Sequence, residues 1–256
     1  MAGADDDGDA PADTRRPKSL TAVHSSLETD AADFWLARAS IVLIAGLQYL
    51  FLNTNLSVGP RWLAPAFEIS MLIPLSIATA WTRGKVRDAT EHHHIRAIGH
   101  YRRGIRLFAL LLTAMILAIN LAEFAAVVRG LLKGVRGPSG QSLLIDAMNI
   151  WFTNIVIFAL FYWNIDHNSP SSRGLNPEVV PDFLFPQMQG AGDNDPDWTP
   201  GFIDYLYVSF TNATAFSPTD TMPLSPRSKL LMALEAMVSL LTIGLVAARA
   251  VNILGS

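Results

Sequence analysis

The chain has 256 residues, half of them apolar and 16% charged, with a net charge of −3 and no cysteine. So small a charge gives no basis for nucleic-acid binding, and the missing cysteines exclude disulfides, thiolate metal sites and cysteine nucleophiles. The apolar residues fall in long runs between polar loops, the pattern of a chain that crosses a bilayer several times.

Residues 1–33 are rich in Asp, Ala, Gly, Pro and Thr, with no apolar run ending in a cleavage site. They are expected to form a disordered tail rather than a signal peptide. Residues 34–166 hold four runs long enough to cross the hydrocarbon core as helices: 34–52, 62–81, 107–128 and 143–165. The loop 82–106 between the second and third carries seven basic residues, Arg83 to Arg106, and Arg15, Arg16 and Lys18 precede the first. Such loops stay in the cytoplasm, which places the N-terminus inside. Two further spans then return the chain to the same side, so region 167–226 is also expected to face the cytoplasm. The run Glu91-His92-His93-His94 is read as a solvated patch, because adjacent histidines point around a helix rather than to one face.

Residues 167–201 form an acidic linker that contains Pro181-Asp182-Phe183-Leu184-Phe185-Pro186. This apolar piece is too short to span and is expected to dock on the membrane face or on a neighbouring subunit. Trp163, Trp198 and Tyr205 are placed like interfacial anchors. Residues 202–214 have an apolar helical face (Phe202, Leu206, Phe210) but half the length of a span, which suits a half-helix. Irregular backbone follows at 215–223, with Pro218 and Pro223, and then a fifth span, 230–254. An interfacial helix followed by a surface turn is the alternative to a half-helix that enters the membrane.

Residues 203–226, IDYLYVSFTNATAFSPTDTMPLSP, resemble without gaps the pore segment of tetrameric potassium channels. The flanks match at Ser209, Phe210, Thr211 and Thr214, and again at Asp220, Pro223, Leu224 and Pro226. Where that family has TVGYG, whose backbone carbonyls replace the ion's hydration shell, this chain has Ala215-Phe216-Ser217-Pro218-Thr219. Ser217 and Thr219 stand at the glycine positions, and Pro218 fixes its own φ and extends the residue before it. A stack of inward carbonyls is not expected, and no selectivity role carries over to these positions. The resemblance covers residues 203–254 and implies a pore-loop module, 202–256, used by symmetry-related copies, four if channel-like. A pore loop entering from the cytoplasm is similar in orientation only to that of ionotropic glutamate receptors. The whole chain also resembles a group of actinobacterial multi-span membrane proteins that share the segments from Pro181 to Met188 and AFSPTDTMPL. That likeness implies a bacterial plasma membrane location and no activity.

Several polar residues lie within the spans. Glu235, Ser239, Thr242 and Arg249 form one stripe of the last helix, and Asp146, Asn149 and Thr153 share a face of the fourth span. Asn120 and Glu123 lie in the third span and Glu68 in the second. Such groups line a pathway or bond between helices. The candidates for lining a path are Thr214, Phe216, Ser217, Thr219 and Asp220 in the loop. Glu235, Ser239 and Thr242 join them from the last helix. Gly244 is read as a bend or a close-packing site. No nucleophile–base pair, phosphate-binding loop, metal cluster or cofactor motif is present, so no enzymatic activity is expected. The sequence thus predicts an all-α membrane protein of about five transmembrane helices with a re-entrant half-helix before the last. Its expected partners are the lipid bilayer, further copies of itself and monovalent ions. Two functions remain open: an ion-channel-like protein of unknown ion, or a non-conducting scaffold or regulatory subunit that keeps the pore fold.

Overall fold

The computed structural model describes residues 20–51, 94–132, 140–166, 180–189, 198–214 and 220–254, with a few positions between 60 and 69. These form helices α1 (Leu20–Phe51), α2 (His94–Leu132), α3 (Gly140–Ile165), α4 (Phe202–Ala213) and α5 (Pro226–Leu254). Two short strands, β1 (Phe183–Leu184) and β2 (Met222–Pro223), and a 3-10 turn at Pro186–Gln189 complete the elements. The described chain is therefore mostly helical. Three segments are long and apolar enough to cross a membrane: Arg106–Arg129, Ile145–Ile165 and Pro226–Ala248. A shorter apolar stretch, Trp35–Leu50, lies in α1. The expected span 62–81, with Glu68, falls outside the described residues apart from isolated positions. Residues 91–93 of the histidine run and 215–219 of the loop lie outside them altogether.

Two helices begin earlier than the hydropathy pattern suggests. Residues 20–33, assigned to the tail, are the first turns of α1. Residues 94–106, assigned to the basic loop, are the first turns of α2. Hydropathy locates where a helix becomes apolar, whereas helix propagation only needs the next residue to add its backbone bond. Neither 20–33 nor 94–106 contains a proline to stop it.

The helices pack around α3, whose residues from Ile155 to Ile165 are nearly all buried. Paired residues fix the directions. Arg106 bonds to Asn164 and Ile165, while Glu123 lies close enough to Asp146 for their charges to interact. As numbers rise on α2 they fall on α3, so the two are antiparallel. Asn154 meets Ser239 and Tyr162 meets Glu235, which makes α5 antiparallel to α3 as well. On α4, Phe202 packs against Trp163 and Ser209 bonds to Ile155, again antiparallel to α3. The Asp33 carboxylate adjoins Gly201, at the start of α4.

One end of the bundle therefore gathers Asp33, Arg106, the last turn of α3, Gly201 and the start of α5. At that end Pro181–Phe185 docks on its own bundle, not on a membrane face or another copy. Phe183 is fully buried and Phe185 nearly so. β1 pairs antiparallel with β2, Phe183 opposite Pro223 and Leu184 opposite Met222. Phe183 stacks against Tyr162 and Tyr205, and Phe185 against Tyr205 and Trp198. Tyr205 and Trp163 are buried core residues, not interfacial anchors. Position in the sequence alone does not show that Phe183 and Phe185 cover Tyr205 and that Phe202 of α4 packs on Trp163.

Candidate functional site

The flanks of residues 203–226 are fixed by polar contacts at the gathered end. Gly201 N-caps α4 and its N–H donates to the Asp204 carboxylate at 2.7 Å. Burial raises the Asp204 carboxyl above its ordinary range; that hydrogen bond lowers it, and nearby Asp33 raises it further. Ser225, just before Pro226 in the first turn of α5, accepts the Ser228 N–H, a Ser-Pro start suited to a helix. Asp182 ties the two flanks together. Its N–H donates to Asp166 Oδ1 (2.9 Å), and its carbonyl accepts from Leu224 N (2.8 Å) and Ser228 Oγ (3.2 Å). Its carboxylate accepts a two-pronged bond from Arg227 Nε and Nη2, at 2.7 and 2.8 Å. The other Asp166 oxygen accepts from the Tyr205 hydroxyl at 2.6 Å. Arg106 donates to the carbonyls of Asn164 and Ile165, where α3 runs out of partners for them.

From this anchored end α4 runs inward. Its contacts with Trp163 and Ile155 are eight positions apart on α3, about 12 Å at 1.5 Å per residue. Ile155 is the midpoint of the apolar segment Ile145–Ile165. The chain resumes at Asp220 and is back at the anchored end by Met222–Leu224, paired with β1 and Asp182. Residues 202–226 thus start and finish at one end of the bundle, with Ser209 level with the middle of α3.

At that middle level sits a buried polar knot. Glu235 of α5 is fully buried. Its Oε2 accepts from Tyr162 Oη (2.5 Å) and Asn212 Nδ2 (2.6 Å), and its Oε1 is bonded to Ser209 Oγ. Asn212 also donates to the Met232 carbonyl at 2.9 Å. Ser209 Oγ lies 2.6 Å from the Ile155 carbonyl. A serine hydroxyl has one proton and here faces two oxygens. Either it donates to the Glu235 carboxylate, or it donates to Ile155 and a protonated Glu235 completes the contact. The knot can therefore hold a proton as well as a charge.

The polar stripe of α5 faces inward. Ser239 accepts from Asn154 Nδ2 (2.9 Å), and Thr242 donates to the Val238 carbonyl (2.7 Å); both side chains are buried. Glu235, Ser239 and Thr242 therefore bind α5 to its own bundle or its own backbone and are not on a face open to other copies. Periodicity revealed the stripe but could not say which way it turned. Thr214 donates to Phe210 and Thr211 carbonyls at the end of α4, a capping role. Asp220 is exposed just before β2. Phe216, Ser217 and Thr219 lie outside the described residues, as does the side chain of Arg249. Gly244 has open space where a Cβ would stand, so it does not close-pack against the described residues of its own chain. The outward faces of α4 and α5 are apolar instead, with Ile203, Tyr207 and Phe210 on one and Leu230, Met237 and Leu241 on the other.

Sequence reasoning missed Tyr162, Asn212, Asp166, Asp182 and Arg227. Ser209 and Asn212, spaced i, i+3 in α4, were the one available signal, since buried polar groups need partners. No family model matches the chain, and no curated protein or solved structure matches it.

Proposed function

We propose that the chain is a multi-span bacterial plasma-membrane protein in which α4 is a re-entrant half-helix and the residues that follow it, 214–220, are the functional segment. The observation that carries this reading is the path of residues 202–226, which leave and rejoin the same end of the bundle and reach mid-span between. Irregular backbone at that depth is tolerated where protein buries it or water reaches it. The resemblance to the potassium-channel pore segment supports the second case, an ion-channel-like protein with a rebuilt filter. One chain supplies one such loop, so a shared path needs symmetry-related copies, four if channel-like. The outward apolar faces of α4 and α5 suit contact with those copies or with lipid. The anchored end holds Arg106 and the tail-side turns of α1, and the positive-inside rule assigns it to the cytoplasm.

One observation favours the other reading, a non-conducting scaffold: Glu235, Ser239 and Thr242 are all consumed by contacts within one chain. The path, if ions use it, is then lined by the loop alone. Flux of potassium, sodium, chloride and protons through purified protein in liposomes tests this. The channel reading predicts flux of at least one ion that changes in selectivity with Ser217→Ala or Thr219→Ala. No flux from folded, oligomeric protein, in a series that includes voltage and pH steps to open a gate, supports the scaffold.

A further inference from the structure

The polar knot around Glu235 has one more close contact than its neighbours have protons to fill. Tyr162 Oη and Asn212 Nδ2 both donate to Glu235 Oε2, which occupies the two lone pairs of that oxygen. Among the described residues, Glu235 Oε1 bonds to Ser209 Oγ alone. The same hydroxyl lies 2.6 Å from the Ile155 carbonyl, at hydrogen-bond distance. Ser209 has one proton, and a carbonyl has none to give. With Glu235 ionised, one of these two oxygen–oxygen contacts is left without a proton. With Glu235 protonated on Oε1, every contact is made. Glu235 donates to Ser209, Ser209 donates to Ile155, and Oε2 accepts twice.

The surrounding charges favour the second arrangement. Glu235 is fully buried, as are Tyr162 and Ser209. Its bonds are to Tyr162 of α3 and to Ser209 and Asn212 of α4, all neutral, and no cation bonds to it among the described residues. The other charged groups of these elements are elsewhere. Asp166, Asp182, Asp204 and Arg227 are engaged at the anchored end, by one another or by Tyr205 and Gly201. Lys229 of α5 is exposed, and Asp146 lies towards the opposite end of α3. A buried carboxyl without a compensating cation is less costly as the neutral, hydrogen-bonded acid.

We infer that Glu235 is a proton-binding site that couples α5 to α4: its bound proton seats Ser209 on α3, and release of the proton draws Ser209 off the Ile155 carbonyl. On release the Oε1–H bond breaks, the proton passes to water, and both carboxylate oxygens become acceptors. Ser209 then turns its single proton to Oε1, and the bond it gives from α4 to α3 is lost. The proton is held at lower pH and released as pH rises. The site stands on contacts inside one chain and does not need the proposed pore. Thr214, where the proposed functional segment begins, follows Asn212 closely; an effect of the proton on that segment is the one step that rests on the proposed function.

The test is infrared spectroscopy of the purified full chain in bilayers, stepped from neutral to alkaline pH. A nitroxide on Tyr207→Cys, on the outward face of α4, reports the helix in parallel samples. A protonated carboxyl gives a carbonyl band that a carboxylate lacks. Glu235→Gln mimics the acid, because its amide nitrogen donates to Ser209 where the Oε1–H bond did. At neutral pH the wild type is expected to show a carboxyl band that Glu235→Gln lacks. That band is expected to vanish as pH rises, and the label to change mobility over the same range. In Glu235→Gln the label is expected to ignore pH. Ser209→Ala is expected to keep the band and lose the label response, a separation that a merely structural carboxyl would not produce. If Glu235→Gln does not fold, Ser209→Ala and Tyr162→Phe carry the test, since each removes a hydrogen bond from the acid and shifts the frequency of its band. A neutral-pH carbonyl region identical in wild type and Glu235→Gln, or indifferent to both of the other variants, overturns the inference. So does a band that persists until the chain unfolds, or a label response that survives in Glu235→Gln or at full size in Ser209→Ala.

Discussion

Replacing Arg227 by Met tests how the half-helix is anchored. The Asp182 carboxylate is 1% exposed and takes both prongs of the Arg227 guanidinium, which is itself 48% exposed. Removing one member of a wholly buried ion pair costs about 3–5 kcal/mol, because the other charge is left without compensation. Here the arginine is half in solvent and Arg106 also acts on Asp182, so the expected loss is about 2–3 kcal/mol. Asp182→Leu alone leaves Arg227 free to reach water and should cost less through the charge. The double variant Asp182→Leu/Arg227→Met should recover much of the Arg227→Met loss, since a pair replaced by apolar groups leaves no buried charge. The assay is reversible unfolding in mixed micelles followed by circular dichroism, read as a double-mutant cycle. An Arg227→Met loss below about 0.5 kcal/mol, or losses that simply add in the double variant, would refute the reasoning.

Tyr162→Phe removes one of the three side chains bonded to Glu235 and should cost about 1–2 kcal/mol in the same unfolding assay; no measurable change would mean the knot is not formed. Asn212→Leu removes two donors at once and should cost more than Tyr162→Phe, the reverse order counting against the geometry. At Gly201, whose φ of −91° any residue adopts, an added Cβ would stand 2.9 Å from both Asp33 oxygens. Gly201→Ala should therefore cost less than about 1 kcal/mol, as the Asp33 side chain swings aside, and Asp33→Ala should cancel the loss. The Asp204 carboxyl is raised mainly by burial, so the folded chain holds that proton more tightly than the unfolded chain. Its contribution to stability is then full below the unfolded carboxylate range and is lost as pH rises through the folded value. Asp204→Asn should flatten that slope in unfolding midpoints measured across the acidic range; an unchanged slope assigns it to other groups.

The long apolar runs 107–128 and 143–165 were legible from hydropathy, and the structure has helical segments long and apolar enough to cross a membrane at Arg106–Arg129 and Ile145–Ile165. The short helix read at 202–214 is α4, Phe202–Ala213, because its length and apolar face are local properties. The anchoring was not legible. Asp182 and Arg227 are 45 residues apart, and Tyr162 and Glu235 are 73 apart, and no periodicity links such positions. Asp182 was visible only as one acid of an acidic linker, yet it is among the most buried residues, surrounded by the Arg227 guanidinium, the Asp166 carboxylate, the Leu224 N–H and the Ser228 hydroxyl. The α5 stripe was seen as a stripe, but which neighbour a stripe meets is set by the packing of whole helices. Asn120 and Asn149 were visible only as polar residues in apolar runs, and both are buried with no hydrogen-bond partner for their side chains among the described residues.

The account turns on whether α4 descends into the membrane or lies along its surface, and spin-label depth measurement separates the two. The chain has no cysteine, so single cysteines at Ile203, Tyr207 and Phe210, all on the outward face of α4, carry one label each. Power saturation with oxygen and a water-soluble relaxant, in protein reconstituted into bilayers, gives the depth of each. A re-entrant α4 predicts that depth increases steadily along the series, by about 10 Å from position 203 to position 210. Three labels at one depth in the headgroup region would contradict it and make residues 202–226 a surface feature.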